Sequence, residues 1–101
     1  MLAVGLQQIA AAHYFCREYE AAAAAAKRVI RSYPEFPLSH RWLAAALGQL
    51  GRAQEARQAL DRAVAIAPAS FDVYVRGRAP WWRPEDHAHV LEGLGKAGWV
   101  G

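Results

Sequence analysis

Apolar residues recur along this chain at steps of three and four, the spacing of a helix that buries one face. Leu43, Leu47 and Leu50 mark one such stripe, and Ala56, Leu60, Ala63 and Val64 mark the next. Gly51 lies between them and can take the turn conformation that Leu50 would resist. The pattern also occurs earlier. Laying residues 3–34 over 37–68 pairs Ala10 with Ala44, Ala11 with Ala45, Ala12 with Ala46, Ala22 with Ala56, Ala25 with Ala59 and Arg28 with Arg62. Val4/Leu38, Ile9/Leu43 and Ile30/Val64 agree in character, and the helix-ending Pro34 and Pro68 stand 34 positions apart. A fixed period of this length marks one supersecondary unit, here a helical hairpin, repeated along the chain. Ala10, Ala44, Ala22 and Ala56 are small where neighbouring helices approach most closely, and a bulky side chain there would push the pair apart. In the first unit the turn falls at Arg17, next to Glu18, and is made without a glycine.

Residues 69–101 continue the register as a third unit whose first helix is broken. Ser70 can cap about two turns over Phe71 to Arg78 before Pro80 stops them. Pro84-Glu85-Asp86 then starts a helix with proline in the first turn and two acids at the positive end of its dipole. Val90-x3-Leu94 followed by Ala97 repeats Ala56-x3-Leu60 and Ala63, and Lys96 and Gly98 mark the finish. The expected helices lie near 3–16, 19–32, 37–50, 53–66, 70–77 and 84–97.

The second unit reads His40-x2-Leu43-Ala44-x2-Leu47, Ala56-x3-Leu60, Pro68, and the first reads Leu6-x2-Ile9-Ala10-x2-His13, Ala22-x3-Ala26, Pro34. This resembles the tetratricopeptide repeat, whose pattern is W-x2-L-G-x2-Y, then A-x3-F, then P. The signature tryptophan and tyrosine are missing from both units; the small residues and prolines are in place. The resemblance implies an all-α helical-hairpin solenoid with two full repeats and a capping third unit, acting as a non-enzymatic protein-interaction module without a cofactor. It also implies a concave side lined by the first helix of each hairpin. On this chain that lining is Gln7, Ala11 and Tyr14 from the first unit and Leu38, Arg41, Trp42, Ala45 and Gln49 from the second. Trp42 beside Arg41 has two readings, an interface anchor or a side chain packed on an adjacent helix. The anchor reading expects that removing both side chains abolishes partner capture and spares helicity. The lysine and asparagine clamp by which some family members grip a peptide carboxylate is replaced here by Gln7, Ala11, Trp42 and Leu38.

At 101 residues the chain reads as one domain, and 54% hydrophobic content suffices for a core, although much of it is alanine. Cys16, the single cysteine, cannot form an internal disulfide, so the expected setting is a reducing, cytoplasmic one. No signal-peptide pattern opens the chain, and no run approaches the ~18 apolar residues of a membrane span. Met1 and Leu2 lead straight into a helix, as expected of a piece of a longer array. The net charge of +3 comes from arginine in excess of lysine and carries little functional meaning.

Three groups of residues carry side chains suited to chemistry. His13, Cys16 and Glu20 would share a face on one continuous helix; the turn at Arg17 separates Glu20 from the others, and the repeat gives His13 a packing position. His87 and His89 point to different sides of their helix and fail as a chelating pair. Arg76, Arg78 and Arg83 surround Trp81 and Trp82, a cluster too short for the basic stripe of a nucleic-acid binder; tryptophans folded back over the solenoid end are the expected arrangement. Arg83 to His87 and Leu91 to Gly98 are similar to the C-terminal ending of bacterial proteins in which an adenylate/guanylate cyclase or transcription-regulator domain precedes such repeats. That likeness implies a regulatory or oligomerisation region of a larger signalling protein. The stripe of Val90, Leu91, Leu94 and Ala97 needs cover, so a capping tail and a homodimer through the tail or the outer face of the first helix are expected.

Overall fold

The computed structural model of the protein describes residues 2–66 and 83–99, with the side chains of residues 2–8, 37 and 38 outside that description. The expected helix over 70–77, its Phe71, Val73 and Tyr74, and the Trp81–Trp82 pair lie outside the described residues. Among those described there are five helices and no strand: α1 (Leu2–Phe15), α2 (Tyr19–Ser32), α3 (Pro37–Gln49), α4 (Ala53–Ile66) and α5 (Pro84–Lys96). The fold is an all-α helical repeat, and each observed bound falls within a residue of the one expected.

Local chemistry explains where these helices start and stop. Pro37 and Pro84 open α3 and α5 in the first turn, each after an extended residue, Phe36 and Arg83; proline's fixed φ suits that position, and its missing N–H costs nothing there. α1, the α3–α4 junction and α5 all end in the same closure. The residue in the left-handed region is Arg17 (φ 63°), Gly51 (φ 78°) or Gly98 (φ 108°). The next amide in each case reaches back five residues: Glu18 to the His13 carbonyl at 2.8 Å, Arg52 to Leu47 at 3.0 Å and Trp99 to Leu94 at 2.9 Å. Such a closure satisfies helix-end carbonyls that would otherwise lack partners.

α3 is the centre of the molecule, with α1, α2, α4 and α5 all packed against it. Small residues permit this. Ala10, Ala22, Ala26, Ala44, Ala45, Ala46, Ala56 and Ala63 are fully buried. Ile9 and Val64, placed in the apolar stripes by the repeat register, instead lie at the surface, 48% and 36% exposed. His40 stands where the repeat pattern has tryptophan, and it is buried; its Nε2–H donates to the Pro34 carbonyl at 2.8 Å and pins the connection between hairpins. Ion pairs reinforce the connections from outside, Arg62 to Glu35 at 2.9 Å and Arg52 to Glu20 at 2.8 Å.

α5, expected from its register as the second helix of a third hairpin and as part of a capping tail, packs along α3 and touches α4 little.

Candidate functional site

Two faces of α3 are distinct. His40, Leu43 and Leu47 turn toward α2 and α4, while Ala45, Gly48 and Gln49 share the opposite face, and α5 lies on that second one. The approach is backbone to backbone. A Cβ added at Gly48 would run into the Gly93 carbonyl oxygen and lie 3.1 Å from the Ala97 nitrogen; one added at Gly93 would meet the Tyr14 hydroxyl and lie 2.7 Å from the Ala45 carbonyl oxygen. Val90, Leu94 and Ala97 are buried by this contact and Leu91 partly so.

Polar bonds fasten both ends of the seat. The Tyr14 hydroxyl donates to the His89 carbonyl oxygen, and the Gln49 amide donates to the Tyr14 hydroxyl at 3.3 Å. Gln49 also donates to Glu92 at 2.9 Å and accepts from Lys96 at 2.9 Å, so one amide engages two opposite charges near the end of α5. The Tyr19 hydroxyl and His89 Nε2 are 2.7 Å apart. Burial pushes the Tyr14 phenol up to about 12. His89 is held below its ordinary value, first by burial and then by the Arg17 charge. Glu92 is held low by the Gln49 hydrogen bond and then by Lys96.

Some of the expected groove residues lie beneath α5 or among the rings beside it. Tyr14, Arg41 and Trp42 are buried. Trp42 packs as one of a cluster of rings, 5.5 Å between centres from both Tyr14 and Phe15, with the Arg41 guanidinium 5.6 Å from its own ring. Of its two readings, packing is the one observed. Gln49 is half-buried and joined to α5, and Gln7 and Leu38 sit on α1 and α3 with side chains outside the description. The sequence did not predict Gly48, Gly93, Tyr19 or His89 as contact residues, although a glycine inside each of two facing helices is the signal of close approach.

The other candidates fall apart. A turn separates Glu20 from Cys16, and Glu20 pairs with Arg52. His13 is partly exposed and bonded to Glu18 at 2.9 Å, not packed inside as the repeat register expects; Cys16 is exposed. No group of three metal-ligating side chains occurs among the described residues. On the far side of α3, Lys27, Arg31, Leu43, Leu47, Gln58 and Arg62 line an open cleft of about 360 Å³.

Residues 17–77, more than half of the chain, match the tetratricopeptide repeat profile. The chain belongs to the tetratricopeptide repeat family. Tetratricopeptide repeats mediate protein–protein interaction and are not themselves catalytic. The matched span takes in α2, α3 and α4, so the family pattern covers the hairpin that receives α5. Searches of curated proteins and of solved structures returned no significant match. No helix among the described residues is long and apolar enough to cross a membrane.

Proposed function

We propose that this tetratricopeptide repeat protein binds a partner protein on the face formed by α1 and α3, around Tyr14, Ala45, Gly48 and Gln49. The observation that supports this is α5 itself. A polypeptide segment already lies there, close enough that backbones touch and with a side-chain amide reading its charges. The cleft lined by Lys27 and Gln58 holds no such segment among the described residues. A photo-crosslinking residue at position 11, partly exposed on α1, should capture partner protein in the host cell more strongly than one at position 58. Equal or stronger capture at 58 would move the site to the other side of α3.

The similarity of the 83–98 phrase to the endings of cyclase-like and regulator proteins supports a finer reading, a cytoplasmic regulatory or assembly module of a larger signalling protein. Self-association belongs to the same reading. Sedimentation from micromolar concentration upward should show a reversible dimer, and a monomer throughout would remove self-association from the proposal.

A further inference from the structure

α5 is held in a way that sets it apart from the other helices. Helices α1 to α4 form two hairpins joined by tight turns and a short connection. α5 is joined to α4 by residues 67–82, and a chain of that length could span ~50 Å when extended. The length of that connection does not by itself fix α5 to its seat. The seat suits a helix specifically. Gly48 and Ala45 leave a smooth strip of α3 backbone, against which only a helix with its own small residues can close. Gly93 and Ala97, four apart, supply them in α5; Val90 and Leu94 flank them, and Glu92 and Lys96 engage Gln49.

We propose that the α1/α3 face is a helix-accepting groove whose partner presents an amphipathic helix with small residues at two positions four apart, and that α5 is its intramolecular competitor. This rests on the face assigned above and adds the chemistry of the occupant. A tethered segment acts at an effective concentration in the millimolar range. An incoming helix must therefore match the contacts of α5 and add others. The groove's apparent affinity is its intrinsic affinity reduced by the fraction of molecules in which α5 is out.

The probe is a fluorescent peptide of residues 83–99, titrated into the full-length protein. Wild type should take it up weakly. Gly93→Leu forces a side chain into Tyr14 and Ala45 and so ejects the chain's own α5, while leucine favours the helix more than glycine does; uptake should strengthen at least about tenfold. Adding Gly48→Leu, which obstructs the groove itself, should abolish the gain. Equal uptake by wild type and Gly93→Leu would overturn the proposal, as would loss of the cooperative unfolding of α1 to α4 in Gly93→Leu, which would make α5 a fixed part of the core. Hydrogen exchange on the unaltered chain provides a check without substitutions. Amides of α5 should exchange through a smaller opening, at least about tenfold less protected than those of α3, and equal protection across α2 to α5 would also overturn it. A dimer in which each α5 fills the other copy's groove would make the occupant a second copy and displace the foreign helix. Crosslinking at position 11 that persists while peptide uptake fails would sink the helix competitor and leave the binding face standing.

Discussion

Arg17 takes the left-handed conformation that Gly51 takes one repeat later. The helix closes the same way at both places, but a side chain in that region costs about 1–2 kcal/mol. Arg17→Gly should therefore be more stable than Arg17→Ala by about 1 kcal/mol in a denaturant titration, after the entropy glycine loses on folding. Equal midpoints would show that the turn carries no strain. The turn at this place is legible in the sequence because its register partner is a glycine. Trp42 is different. Its place on the inner side of α3 follows from the repeat, yet no feature of positions 37–50 tells that rings from α1 would enclose it. With 2% of its surface exposed, Trp42→Ala should cost about 3–5 kcal/mol, seen as a large drop in melting temperature. An unchanged melt would return the indole to an open surface.

The pattern of each helix is legible from its own residues: a proline that opens it, an apolar stripe, a closing turn. Partners across space are less so. α5 has the stripe expected of it, but its register does not say which face of the second unit it covers, and only the meeting of Gly48 with Gly93 shows that. These glycines carry an opposite expectation from Gly95, which has no neighbour within 4 Å where a methyl would go. Gly95→Ala should stabilise the chain by about 0.5–1 kcal/mol by favouring the helix. Gly93→Ala, with the same gain in propensity, should destabilise it. Circular dichroism melts of the two variants separate them, and a parallel shift in both would mean that α5 and α3 do not touch.

For the molecule as a whole, the docking of α5 couples to pH at both ends of the scale. His89 faces Tyr14 and Tyr19, with Arg17, Glu92, Asp86 and Lys96 around it. Its folded pKa is lowered, so the folded state binds the proton less readily than the unfolded chain. The stability tied to His89 is then full above its ordinary 6.5 and is lost as pH falls through and below that value. Glu92 acts in the same direction at lower pH, its contribution waning below 4.5. Tyr14 works the other way: its raised pKa keeps stability intact below 10, and stability declines between 10 and about 12 as the unfolded phenol ionises first. Melts from pH 8 downward should weaken through the histidine range in wild type and less so in His89→Gln. The alkaline decline should flatten in Tyr14→Phe.

The seat of α5 also has a mechanical consequence. It bonds at one end to Tyr14 and Tyr19, on the first hairpin, and at the other to Gln49, on the second. The helix is thus a strut between two units that otherwise meet chiefly along α3. A superhelix takes its curvature from the small rotation between successive hairpins, and a strut fixed to both holds that rotation at one value. With α5 in place the solenoid is stiff; with it gone the same two hairpins form a spring.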